Sequence, residues 1–359
     1  MNRRRFLKRS LLAGAGLALS PALLKSAPQP SGSPLGLPSD TPTPTPSGEA
    51  STSASYSLSG DIRQVHDPCI IKAGDIYHVF STGSHIWWRT SPDLKEWKLQ
   101  GSVFSTRPAW TRDEIPRADS LWAPDISYYN GRFHLYYSVS TFGSNRSCIG
   151  LATNATLDAQ SPDYQWVDEG KVIESHPTDN WNAIDPNLVM DENGQPWLAF
   201  GSFWSGIKMR QIDPDTGKPS SDNDELYSLA RRDRIPGTSG AIEAPFIIRR
   251  EDFYYLFVSF DFCCKGTLST YNIRVGRAKE VIGPYYDQDG TAMLSGGGTL
   301  VLEGDDRWRG PGHNAVLQEA DSDKLVYHAY DAKAVGIPTL RISPIVWDAE
   351  GWPTVSPQA

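Results

Sequence analysis

Short apolar and aromatic runs alternate with turn-forming clusters through most of this chain, and the runs come in pairs. One pair sets the plan. Asn187-Leu188-Val189 is a short apolar run, Asp191-Glu192-Asn193-Gly194 turns the chain, and Trp197-Leu198-Ala199-Phe200 returns as an aromatic run. The same order recurs four more times, with turns at Ala73-Gly74-Asp75, Asn130-Gly131, Arg250-Glu251-Asp252 and Asp321-Ser322-Asp323. The returning runs there are Tyr77-His78-Val79-Phe80, Phe133-His134-Leu135-Tyr136-Tyr137, Tyr254-Tyr255-Leu256-Phe257-Val258 and Leu325-Val326-Tyr327-His328. Runs this short, rich in aromatic and β-branched residues and bounded by Gly, Asn and Asp, predict strands.

Each pair is introduced by a related tripeptide: His66-Asp67-Pro68, Trp122-Ala123-Pro124, Ile184-Asp185-Pro186, Glu243-Ala244-Pro245 and Gly312-His313-Asn314. They recur at roughly 60 residues, the period of a propeller blade rather than of a helical solenoid. Five units predict an all-β, five-bladed β-propeller forming a single domain over residues 56–359. Equivalent positions in a propeller face one mouth. His66, Asp67, Trp122, Asp185, Glu243 and His313 lie at or one before the repeat start, so they are expected to converge on one cavity. The plainer alternative is that Asp-Pro and Ala-Pro simply start turns. The shared phase of the copies favours the cavity.

The N-terminus departs from this pattern. Arg3-Arg4-Arg5-Phe6-Leu7-Lys8 precedes the apolar run Leu11–Leu19, which reads as a signal peptide over residues 1–27. Its Arg3-Arg4 pair followed by Phe6-Leu7-Lys8 resembles a twin-arginine export signal, with Asn2 where Ser or Thr is usual. The apolar run is short for a bilayer-spanning anchor. Residues 28–55 are rich in Pro, Ser and Thr, including Thr41-Pro42-Thr43-Pro44-Thr45-Pro46, a composition expected to stay a disordered linker. The 359-residue chain carries a net charge of −8 and no basic cluster in the repeats, which argues against nucleic acid as a partner. Cysteines 69, 148, 263 and 264 match no metal-ligand spacing. Cys69 is expected as a buried thiol. An exported chain permits a disulfide between the adjacent Cys263 and Cys264.

Two carboxylates across a cleft can act as acid and base on a glycosidic bond, and a third can tune one of them. Asp67, Asp185 and Glu243 supply three. The motifs Val65-His66-Asp67-Pro68, Leu121-Trp122-Ala123-Pro124-Asp125, Asn182-Ala183-Ile184-Asp185-Pro186, Ser202-Phe203-Trp204-Ser205-Gly206, Ile242-Glu243-Ala244-Pro245 and Gly310-Pro311-Gly312-His313-Asn314 resemble glycoside hydrolase family 43. More narrowly, with Phe260-Asp261-Phe262-Cys263-Cys264-Lys265-Gly266, they resemble its arabinan endo-1,5-α-L-arabinosidases. The resemblance spans about residues 60–352 and keeps the motif order. It implies an inverting five-bladed glycosidase with Asp67 as general base, Glu243 as general acid and Asp185 holding the acid and raising its pKa. It implies that His66, Trp122, Gly143, Asn182, Ala183, Ile184, Ser202, Phe203 and Trp204 line the sugar subsites. It also implies that His313 helps hold one central metal ion, calcium, largely through water.

On their residues alone, His66 and Trp122 also suit packing roles. His313 also suits a plain hydrogen bond, because calcium prefers oxygen. The expected partners are arabinan and arabino-oligosaccharides, met outside the cytoplasm as a secreted or periplasmic monomer, free of the membrane once the signal is cleaved. Alternatives are an exo-acting α-L-arabinofuranosidase or β-xylosidase of the same family, or a non-catalytic carbohydrate-binding propeller. The last would not need three carboxylates at equivalent blade starts.

Overall fold

Each strand pair of the repeat recruits two further strands and becomes a blade. The structure is a computed structural model that describes residues 56–233 and 239–355. The signal segment and linker expected over residues 1–55 lie outside them. Blade one holds β1 (Ser59–Gly60), β2 (Cys69–Ala73), β3 (Ile76–Ser81), β4 (Trp87–Ser91) and β5 (Glu96–Ser102). Blade two holds β6 (Trp122–Tyr129), β7 (Arg132–Val139), β8 (Ser147–Asn154) and β9 (Val167–Ser175). Blade three holds β10 (Asn187–Met190), β11 (Pro196–Phe200), β12 (Ile207–Gln211) and β13 (Tyr227–Ala230). Blade four holds β14 (Ile242–Arg250), β15 (Phe253–Phe260), β16 (Asn272–Ala278) and β17 (Thr299–Leu302). Blade five holds β18 (Trp308–Leu317), β19 (Lys324–Asp331), β20 (Ile337–Trp347) and β21 (Pro353–Val355). Apart from β1, neighbours along the chain pair antiparallel. The one α-helix among the described residues is Trp110–Glu114.

The apolar faces explain why the blades assemble. A single blade cannot bury both of its faces, so neighbours stack. Five buried clusters result, each between adjacent blades. Phe80, Leu135 and Tyr137 join blades one and two. Ile149, Leu198 and Phe200 join two and three. Met209, Leu256 and Val258 join three and four. Phe257, Val275 and Leu325 join four and five. Val79, Val326 and Ile342 join five and one. The ring is completed by the first described strand segment. β1 lies parallel to β5, and just beyond it Arg63 bridges Thr339 of blade five. Val65 N–H donates to Pro338 O, and Leu340 N–H to Ile62 O. Residues 59–65 therefore touch both blades that meet at the seam.

The phase of the repeat is written into the backbone. Asp67, Ala123, Asp185, Ala244 and His313, one per blade, all adopt left-handed φ of 51°, 46°, 58°, 56° and 47°. That conformation costs a non-glycine residue about 1–2 kcal/mol, so something must hold each one. A proline follows four of them and cannot donate to a ladder. The inner strands of blades two, four and five shift register there.

A side chain of the preceding blade holds each of the five amides. Ala123 N–H donates to Thr82 Oγ1 (2.8 Å), Asp185 N–H to Ser138 Oγ (2.9 Å), and His313 N–H to Ser259 Oγ (2.8 Å). Asp67 N–H donates to His328 Nδ1 (3.1 Å), across the seam. Between blades three and four the holder is Asp185 itself, whose Oδ2 accepts from Ala244 N–H at 3.2 Å. Five equivalent latches thus tie the blades together around the mouth and fix the direction of the side chains there.

Candidate active site

Two of the latched residues, Asp67 and Asp185, are carboxylates, and a third, Ala244, follows Glu243. Asp67 is almost buried and receives Thr82 Oγ1–H on Oδ2 at 2.6 Å. Thr82 accepts from Ala123 N–H at the same time, so its hydroxyl proton has one direction left, toward Asp67. On the other oxygen, Oδ1, Asp67 meets His66 Nδ1 at 2.8 Å and His313 Nδ1 at 3.3 Å. Burial alone would raise the Asp67 pKa. The nearby imidazoles His66, His313 and His328, with the His66 hydrogen bond, more than offset it and hold the carboxyl far below the usual range.

Glu243 stands at the start of β14, one residue before the left-handed Ala244. Its Oε2 accepts from Ser202 Oγ–H at 2.6 Å. Burial and then the Asp67 charge push its pKa up to about 7, against the Ser202 hydrogen bond and the charge of His66, which pull it down. Asp185 is also buried and is raised well above the usual range, by burial first and then by Glu243 and Asp67. Asp185 and Glu243 repel each other, Asp67 adds like-charge pressure on both, and for Asp185 the Ala244 N–H works against this by favouring the charge.

The remaining predicted residues fall into two groups. His66, Trp122, Gly143, Phe203 and Trp204 reach the surface. His66 Nε2 meets Tyr330 Oη at 2.7 Å, and its ring stacks on His328. Trp122 is no core tryptophan: it is half-buried, donates to Ser120 Oγ and packs on the exposed Phe142. Gly143 follows Phe142 in an exposed turn at φ 76°. Trp204 is 43% exposed. It and Phe203 are both left-handed, and Gly206 N–H closes that turn onto Phe203 O.

The other four point inward. Asn182 is buried with Oδ1 accepting from Ser147 Oγ, and Ile184 is almost buried. Ser202 is spent on Glu243. Ala183 is fully buried in the core between blades two and three and donates its N–H to Ser175 Oγ. Its methyl group packs into that core and does not reach the surface.

Of the partners of these residues, sequence reasoning named Ser202, as a sugar-lining residue, and passed over the others. Thr82, Ser138, Ser202, Ser259 and His328 each stand across from the residue that precedes a left-handed position, and a polar side chain recurs at that phase in every blade. Aligning the second strands of the repeat would have found them. Tyr330, two residues past His328 on β19, and the Cys263–Cys264 disulfide were the other neighbours of His66. Cys69 and Cys148 are free and buried, the first as expected.

For a cation, His313 offers an imidazole that burial keeps neutral, as a ligand must be, beside the ionised Asp67. His66, Asp67 and His328 also bring ligand atoms within 4.8 Å of one another. This set is rich in nitrogen. It fits calcium only if water supplies most of the oxygens.

The arrangement pairs an ionised carboxylate with a carboxyl protonated up to near neutral pH, both in one mouth. Comparison with known proteins gives the same direction. The sequence profile of glycosyl hydrolases family 43 matches residues 62–353. An extracellular exo-α-(1→5)-L-arabinofuranosidase of Cellvibrio japonicus is 46% identical over 299 residues, covering 81% of this chain and 86% of its own. An extracellular endo-α-(1→5)-L-arabinanase of Bacillus subtilis is 46% identical over 295 residues, covering 81% and 87%. The solved structure of a Cellvibrio cellulosa α-L-arabinanase complexed with arabinohexaose superposes with a TM-score of 0.78 at 44% identity, covering 81% of this chain and 95% of that one.

Proposed function

This chain belongs to glycosyl hydrolases family 43 and is a glycoside hydrolase, and from that premise we propose that it is a secreted, inverting enzyme cutting internal α-1,5-L-arabinofuranosidic bonds of arabinan. The observation that carries the mechanism is the opposite displacement of two buried carboxyl groups, Asp67 downward and Glu243 up to about 7. Asp67 stays ionised and accepts a proton from the attacking water. Glu243 stays protonated and gives its proton to the departing glycosidic oxygen. Asp185 holds the Ala244 amide next to Glu243, and like-charge repulsion between the two buried carboxyls helps keep Glu243 protonated. An inverting reaction of this kind needs room for water between base and sugar, with the carboxyl groups about 6.5–9.5 Å apart.

The exposed rings of Phe142 and Trp204, with the half-buried Trp122, offer apolar faces on which furanose rings can stack. The substrate class is supported by the arabinan-directed names of the relatives and by the arabinohexaose complex. Export fits the word extracellular in two of those names, and Arg3-Arg4 provides its signal in this chain. The Cellvibrio japonicus relative supports a second reading, exo-acting release of arabinose, at the same identity. Purified enzyme on linear arabinan separates the two. Internal cleavage gives a rapid loss of viscosity with short oligosaccharides; arabinose as the sole early product would establish the exo reading instead.

We further propose that His313 holds one cation at the mouth, calcium with water as its main ligand, where it would favour the charged form of Asp67. His313→Ala should lose bound metal and most activity together. Metal content of the purified variant, measured by atomic emission, checks this; a wild-type metal content would sink the assignment.

A further inference from the structure

The Cys263–Cys264 disulfide sits at the rim of the mouth and has no part in the chemistry above. Cys264 is an exposed, non-glycine residue at φ 66°, a conformation it would leave if it were free to. The bond to its neighbour closes a small ring through the joining peptide and holds it there. In that position Cys264 N–H donates to Tyr330 Oη at 2.8 Å, and Cys264 Sγ lies 3.7 Å from His66 Nε2. Tyr330 Oη also bonds the Ser269 side chain, whose oxygen accepts from Lys265 N–H and is left to donate. With both lone pairs of the phenol oxygen occupied, its own proton has one acceptor left, His66 Nε2 at 2.7 Å. Burial lowers the His66 pKa, and the Asp67 carboxylate, more strongly, raises it. In the neutral ring acceptance on Nε2 leaves the proton on Nδ1, and in the charged ring Nδ1 is protonated as well, so in both states Nδ1–H faces Asp67 Oδ1 at 2.8 Å. The same loop reaches the acid side, where Phe262 packs on Phe203, the neighbour of Ser202.

We infer that the Cys263–Cys264 disulfide is a positioning element for Asp67, acting through Tyr330 and the tautomer of His66. It touches no reacting atom in this role. The inference rests on the reading of Asp67 as general base.

Treatment of the folded enzyme with dithiothreitol tests it. The reagent delivers two electrons and two protons to the S–S bond, becoming a cyclic disulfide itself, and leaves Cys263 and Cys264 as thiols. Cys69 and Cys148 are already free, so this bond is the one the reagent can open. The expected result is a fall in kcat of about tenfold to a hundredfold, the scale of a slightly misplaced reacting group, with KM close to its starting value. Long-range proton–nitrogen spectra of labelled histidine should show His66 passing from one Nδ1–H tautomer to a mixture, and reoxidation should reverse both changes. Cys263→Ser/Cys264→Ser should reproduce the loss without reductant. Tyr330→Phe should cause a similar loss that reduction does not deepen, because both act on one chain of hydrogen bonds. An unchanged kcat, a rise in KM alone, or an unaltered His66 tautomer after reduction would overturn the inference. Asp67→Asn in the oxidised enzyme keeps the two ideas separate. If that variant stays active, the base assignment fails; if it is inactive while reduction changes nothing, the disulfide proposal alone fails.

Discussion

Replacing Glu243 with Gln should lower kcat on arabinan by about a hundredfold to ten-thousandfold, the range that positioned general acids contribute. Gln keeps an oxygen to accept from Ser202 but has no proton of the needed acidity. The loss should shrink on an aryl arabinoside with a good leaving group, because departure then needs little protonation. In the unaltered enzyme, activity on arabinan should fall as pH rises through about 7, where burial and the Asp67 charge place the Glu243 titration. The direction follows from the role: an acid catalyst works below its pKa and fails above it. Rates on both substrates from about pH 4 to 9 would check all three statements. Equal losses on both substrates would remove Glu243 from the role of acid.

Asp67→Ala should be at least as damaging, and equally so on both substrates, because activation of water is needed whatever leaves. A further signature is stereochemical. If Asp67 works through water, proton spectra of the first product from an α-linked substrate should show the β anomer, followed by slow equilibration. An α anomer at the outset would make Asp67 a nucleophile instead. The low pKa of Asp67 predicts that no acid limb from this group appears in the ordinary carboxylate range. With these roles, Asp67 should be ionised at ordinary pH and Glu243 should limit the profile from the alkaline side.

The fold was legible because the repeat is expressed in two independent signals, the paired strands and the tripeptides that introduce them. The phase was legible for a physical reason that only the structure reveals. Asp67, Ala123, Asp185, Ala244 and His313 share a left-handed backbone, and the proline after four of them marks the place where the ladder is broken. What stayed hidden was mostly one contact away. Ser147 and Ser175, which take up Asn182 and the Ala183 amide, lie in β8 and β9, strands that the paired pattern did not single out. The burial of Ala183 could not be read from a motif match, since a match does not record which side chains turn into the core. The like charges around Glu243 could be counted from the sequence, but not the burial that raises Asp185 and Glu243 together.

The seam has a consequence for the time course of synthesis. Asp67 depends on His328, 261 residues further along the chain, and on His313, while residues 62–65 must find blade five before the ring is shut. A nascent chain therefore carries Asp67 long before it can orient it. Chain entropy delays contacts between distant residues, so this step is expected among the last in folding. A product cut short before blade five should therefore lack the contacts of His313 and His328 to Asp67, and the mouth is complete only once β18, β19 and β20 have joined the ring.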